Sequence, residues 1–390
     1  MNRNTVLSLK ILMHAIGDFI NIFVSLYFLQ VNERNLLKLV TYNMTFCMVI
    51  PIVFLVTGRY CKSGRILWVL RSGLFMTFAY FIVMLVMGES MPDHYILMGV
   101  LYGLKEGLYW GAFNILEYEG VENSQRRSLN GAYLVAKNLV NILFPVILGS
   151  VISSHSFSAG VSVMAVLTGA GFLFSLRYRD TKQENRGTFR PFILFPELKK
   201  DRNLAGVCLY HVFTGMIYSS GAFRLLTTIY ILRMCGDSFT AGWMTALGSM
   251  VSMLFGFLLA KVLNTGRKMS AVNSVVTAVM AAATMLMILH PAPWMVILFY
   301  FVFGIYKDAE SSIDTVLGNN VANLSDTVKA NKSEYSLTCD LWLLVGRVSG
   351  YLLLAGYAIH GSSLFLWAFL PAFAGICICF NRLLKRVPVE

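Results

Sequence analysis

Residues 95–116 read YILMGVLYGLKEGLYWGAFNIL, an apolar run interrupted only by the adjacent charges Lys105 and Glu106. At 1.5 Å per residue a helix of this length crosses the roughly 30 Å hydrocarbon core of a bilayer. Its polar and small residues are ordered. Tyr102, Glu106, Tyr109 and Phe113 follow i, i+4, i+7, i+11 and share one helical stripe. Gly103, Gly107 and Gly111 form a second stripe, a small-residue seam on which a neighbouring helix can approach closely. One face packs, and the other lines something.

The rest of the chain has the same character. Of 390 residues 57% are hydrophobic and 13% charged, with mean hydropathy +0.65. A soluble domain carries about 25% charged residues, so both a cytosolic globule and a disordered chain are excluded. Strands of an outer-membrane barrel would alternate, whereas these apolar runs are continuous. The runs fall at 8–30, 36–57, 66–88, 95–116, 131–153, 160–176, 204–232, 240–262, 270–289, 294–317, 335–359 and 363–380. The expectation is an all-α polytopic membrane protein with twelve transmembrane helices. Span one follows Arg3 and Lys10 without a small-residue cleavage site, and reads as a retained helix. The seven cysteines show neither a disulfide pattern nor a metal pattern and read as small buried apolar residues.

Charge sets the orientation. If both termini lie on one side, 23 of the 32 Lys and Arg residues fall there, and only Arg34, Lys38 and Arg233 lie opposite. The positive-inside rule then predicts cytoplasmic termini and an even number of spans in the cytoplasmic membrane. The net charge of +12 is thereby a matter of topology. No basic and aromatic nucleic-acid motif accompanies it. The longest polar segment, 177–203, reads as a linker between an N-terminal half, 1–176, and a C-terminal half, 204–390.

The halves resemble each other. Ser63-Gly64-Arg65 aligns with Thr265-Gly266-Arg267 at an offset of 202, Leu26-Tyr27-Phe28-Leu29 with Ile229-Tyr230-Ile231-Leu232 at 203, and Tyr102-Gly103-Leu104 with Phe303-Gly304-Ile305 at 201. Two six-helix halves in parallel repeat, joined by a cytoplasmic linker, make the chain similar to the major facilitator superfamily over essentially its whole length. That superfamily's loop signature, Gly-x-x-x-Asp-Arg-x-Gly-Arg-Arg, is kept at Gly64 and Arg65, with Lys62 at the first Arg and Cys61 at the Asp. The second copy keeps Gly266, Arg267 and Lys268, with Leu263 at the Asp. Phe144-Pro145-Val146-Ile147-Leu148-Gly149 resembles a degraded antiporter signature, Gly-Pro-x-x-Gly-Gly. The resemblance implies gating roles for Gly64, Arg65, Gly266 and Arg267, and a central cavity lined by helices one, four, seven and ten.

Six acids, Asp18, Glu106, Asp308, Glu310, Asp314 and Asp340, and six bases, Arg71, Lys105, Lys137, Arg224, Lys307 and Arg347, fall within the spans. Each costs about 2.5–3.5 kcal/mol at a helix centre, so they must pair or line a wet cavity. Arg71 and Lys137 lie close enough to span ends to snorkel. Asp340 and Arg347, seven apart, suit either a structural pair or a functional one. His14, Asp18, Asn21 and Ser25 form a stripe on span one, and Arg224 shares one with Tyr210, Thr214, Gly221 and Thr228 on span seven. Phe303, Lys307, Glu310 and Asp314 do so on span ten. His211 reads as a packed, neutral histidine.

Carboxyls that change surroundings can take up a proton on one side and release it on the other. Asp18, Glu106, Asp308, Glu310 and Asp314 are the expected proton-coupling groups. His14, Asn21, Tyr102, Tyr109, Phe113, Arg224 and Lys307 are the expected solute contacts, and the repeat would set Lys307 opposite Glu106. No phosphate-binding Gly-x-x-x-x-Gly-Lys loop, zinc-protease motif or nucleophile elbow occurs, so neither an ATP-driven pump nor an enzyme is expected. No cofactor or metal is expected. The reading is of a monomeric efflux-type proton antiporter of bacterial kind for an anionic, zwitterionic or amphiphilic solute, with lipids and protons as its other partners. A proton- or sodium-coupled uptake symporter and a non-cycling transporter-like receptor are the alternatives.

Overall fold

The computed structural model describes residues 3–31, 36–120, 123–177, 188–217, 221–235, 238–262, 266–290, 292–324 and 326–386. Their secondary structure is helical, joined by turns, with no strand among them. The first half begins with α1 (Arg3–Phe19), a π-helical turn (Ile20–Val24) and α2 (Ser25–Val31), which together occupy the first expected span. Then come α3 (Leu36–Lys62), α4 (Ile66–Met87), α5 (Tyr95–Gly120), α6 (Asn123–Ser154) and α7 (Phe157–Leu176).

After the linker, α8 (Arg202–Ile217) and α9 (Ala222–Cys235) divide the seventh expected span. They are followed by α10 (Ser238–Val262), α11 (Gly266–Leu289), α12 (Pro293–Leu324), α13 (Asp326–Ala330) and α14 (Lys332–His360). The short α15 (Leu364–Trp367) and α16 (Leu370–Leu384) share the twelfth. Helix thus covers each of the twelve stretches that hydropathy marked. Among the described residues eight segments are long and apolar enough to cross a membrane, and one of them, Ile66–Leu116 at 51 residues, holds both α4 and α5.

The chain forms two compact units, one of residues 1–189 with 235–246 and the other of 190–234 with 247–390. In the first, α5 packs between α3 and α4, α7 lies on α4, and α6 lies on α1. The glycine seam of α5 explains the first contact. A Cβ at Gly103 would stand 2.6 Å from Val49 Cβ, and one at Gly107 2.7 Å from Val53 Cβ, so only hydrogen lets the helices meet there. On the side facing α4, Gly73 approaches the Tyr109 backbone equally closely. The opening of α10 belongs to this unit because Gly149 of α6 abuts the Ser238 carbonyl and Gly242 abuts that of Pro145.

In the second unit α8 packs on α14 and α16, and α11 on α12 and α16. Phe223 is enclosed by Phe299, Phe303, Phe369 and Phe373, with ring centroids 5.4–5.8 Å away. Phe303 is the repeat counterpart of Tyr102, which sits in the aromatic cluster of the first unit. The linker's described part is anchored too. Phe189 lies on Gly58 in the first unit, and in the second the Arg190 N–H donates to Glu334 Oε1 at 3.2 Å.

Candidate functional site

On α1, His14 and Asp18 are one turn apart and face α6. Asn141 Oδ1 lies 2.7 Å and Asp18 Oδ2 3.2 Å from His14 Nε2. With two oxygen acceptors converging on it, that nitrogen carries a hydrogen. The ring of Tyr133, also on α6, meets the imidazole edge-on and is capped by Lys10 Nζ at 4.5 Å. Asn21 follows on the same stripe, and its amide donates to the Gly17 carbonyl at 2.6 Å, where the π-turn begins.

Lys105 and Glu106 form a charged pair in the first unit. Adjacent helical positions do not normally face one another. Here the lysine, wholly buried, bends back so that Nζ lies 2.5 Å from Glu106 Oε1 and 4.5 Å from the Tyr102 ring centroid. Glu106 keeps 13% of its side chain exposed. Tyr102 stacks near-parallel with Tyr42 and with Tyr80, whose hydroxyls share a 2.6 Å hydrogen bond. The carboxylate is within electrostatic reach of both of those hydroxyls. A cation is thereby held in a dry interior by one carboxylate and one π-face, the two partners that make such burial tolerable.

Tyr109 and Phe113 are stacked on each other at 5.2 Å and fully buried. In the second unit, Tyr210 of α8 donates to Glu310 of α12, both buried. Lys307 is half-buried one turn earlier. The side chains of Arg224, Asp308, Asp314 and Arg267 lie outside the described residues. Arg71 donates to the Ser175 carbonyl at 3.4 Å, satisfying the C-terminal end of α7, in keeping with a structural role.

The signature loop has a local reason. Gly64 takes φ +82°, the left-handed conformation that ends α3, and Arg65 N–H returns to the Tyr60 carbonyl at 3.0 Å. Cys61, at the place of the signature's Asp, is buried with Sγ 4.0 Å from the Gly111 carbonyl. A carboxylate there would face an oxygen across a dry contact. Gly266, the second copy's glycine, opens α11.

Lys105, Tyr42, Tyr80 and Asn141 are the partners that sequence reasoning missed. Lys105 was visible as an intramembrane charge. The rest carried no signal, because each belongs to a different helix from the group it serves.

An all-helical, multi-pass membrane protein with paired charges inside its helices is the class that fold and site define. The family description of the Major Facilitator Superfamily matches residues 45–321. The chain belongs to that superfamily, a family of membrane transporters. It is 26% identical over 234 residues to the uncharacterized protein YqgE of Bacillus subtilis, covering 60% of this chain and 54% of that one. It is also 31% identical over 142 residues to an uncharacterized protein in the sodM 3′ region of Geobacillus stearothermophilus, covering 36% of this chain and 66% of that one. The chain thus spans between half and two thirds of the length of these relatives.

Among solved structures it is similar to a bacterial homologue of the iron transporter ferroportin in an inward-facing state, with TM-score 0.67, 14% identity and 98% of each chain covered. It is also similar to the nucleoside transporter NupG, with TM-score 0.66, 12% identity, and 98% of this chain and 99% of that one covered. At such identities the likeness is one of fold.

Proposed function

We propose that the chain exports a small anionic, zwitterionic or amphiphilic organic solute across the cytoplasmic membrane in exchange for protons, by alternating access. The observation that carries this reading is the Lys105–Glu106 pair. A carboxylate held by a buried cation, and still partly exposed, can exchange that cation for a proton, after which Lys105 attracts an anionic group. Asp18 beside His14 supplies a second titratable pair, and Glu310, with Asp308 and Asp314, supplies acids in the other half. His14, Asn21, Tyr102, Tyr109, Phe113, Arg224 and Lys307 are the solute-contacting groups of this reading. Gly64, Arg65, Gly266 and Arg267 are its gating positions.

Export as the direction rests on Pro145 and Gly149, the signature residues kept on α6, both of which sit at its crossing with α10. The working unit is a monomer with cytoplasmic termini, and the halves 1–176 and 204–390 move about the linker 177–203.

The test is a solute screen in proteoliposomes enclosing a pH-sensitive dye. A solute-dependent proton flux that disappears in Glu106→Gln supports the reading. Solute binding with no flux for any solute would reduce the protein to a receptor.

A further inference from the structure

The second unit holds a buried polar cluster that the proposed coupling groups do not use. Asp340 of α14 is 9% exposed, and Arg347 Nη1 donates to its Oδ1 at 3.3 Å. The other carboxyl oxygen, Oδ2, is buried without a hydrogen-bond partner among the described residues. His211 comes to it from α8, equally buried and close enough for the two charges to interact. The juxtaposition is built by a tight helix crossing. A Cβ at Gly215 would stand 2.5 Å from the Leu343 carbonyl, and one at Gly350 3.2 Å from that of Met216, so α8 and α14 touch through hydrogen alone.

An open carboxylate oxygen in a dry interior is an acceptor that lacks its donor. The groups around it narrow the choice of donor. Arg347 is committed to Oδ1. Tyr210, next to His211, donates to Glu310 of α12. Glu334, nearer the start of α14, accepts from the Arg190 backbone. The exposed Lys329 of α13 lies about 15 Å back along the helical path. The α15 segment, LFLW, has nothing that titrates. Of these groups only the imidazole changes charge between about pH 5 and pH 8.

We propose that His211 and Asp340 form a proton-binding site of the second unit. His211 takes a proton from solution, and the resulting imidazolium N–H fills Asp340 Oδ2 while Arg347 holds Oδ1. The inference goes beyond the transport reading and does not need it, because proton uptake is measured with no solute present.

The experiment acidifies purified full-length protein in weakly buffered detergent from about pH 8 to about pH 5 and counts the protons taken up per chain with a soluble dye. His211→Gln should take up about one proton fewer than the unaltered protein. His211→Asn gives the same reading if the first variant does not purify as a folded species. Asp340→Asn combined with Arg347→Gln removes the carboxylate without orphaning its cation, and should lose the same step. Asp340→Glu should retain it. Unchanged uptake in the His211 variants, or in the double variant, would overturn the site. Full uptake in His211→Gln together with a missing step in Glu106→Gln would overturn it while leaving the transport reading standing. A lost step in His211→Gln supports the site even if no solute ever drives proton flux.

Discussion

Lys105 and Glu106 are neighbours in sequence whose charged ends meet at 2.5 Å inside α5, although successive helical positions diverge by about 100°. The lysine closes that angle with its long stem, lying over Tyr102 with no exposed surface. Each charge is the other's solvent.

Breaking this pair from one side leaves an orphan. Lys105→Met should destabilise the protein by about 3–5 kcal/mol, seen as a lower thermal midpoint in detergent. Lys105→Met with Glu106→Gln should recover part of the loss, giving a non-additive double-mutant cycle. Strictly additive, mild effects would mean that the two side chains are solvated separately.

Coupling is tested at the carboxyl. Glu106→Gln keeps the shape and removes the titratable proton, so solute-driven proton flux should vanish while solute binding persists in part. Undiminished flux would pass the role to Asp18, and Asp18→Asn would be assayed next.

Space decides the glycines. Gly103→Val or Gly107→Val forces α3 and α5 apart and should cost about 1–3 kcal/mol or more, with poor recovery of monodisperse protein. Gly17→Ala meets no atom within 4 Å and should be close to neutral. Equal behaviour of Gly107→Val and Gly17→Ala in a thermal ramp would count against the α3–α5 seam.

Restoring the family's acid at the signature loop should harm the fold. Cys61→Asp places a carboxylate against the Gly111 carbonyl in a buried site, a loss of about 1–3 kcal/mol or more. A raised thermal midpoint for this variant would show that the site accepts charge after all.

Topology has its own readout. A cysteine introduced at Ser90 or Ser362 should react with an impermeant reagent from outside, and one at Glu184 only from inside. Outside labelling at Glu184 would contradict the arrangement with cytoplasmic termini.

Continuous apolar runs were enough to place helix on every one of the twelve stretches among the described residues. The same pattern foretold the α5 glycine seam, because small residues every fourth position report a close neighbour whatever that neighbour is. Bilayer physics makes such signals local: each span must satisfy its own backbone, so its presence is written in its own residues.

Pairing is not local. Tyr210 for Glu310, Asn141 for His14, and His211 beside Asp340 each join residues 100 or more positions apart, or on helices whose facing sides no hydropathy scale ranks. Periodicity put Tyr109 and Phe113 on the polar stripe of α5, and both are buried, with Gly73 of α4 against the Tyr109 backbone. Stripes say which residues share a face. What that face meets is decided by the angles and contacts of helix against helix, and these follow from packing energies summed over side chains from several parts of the chain.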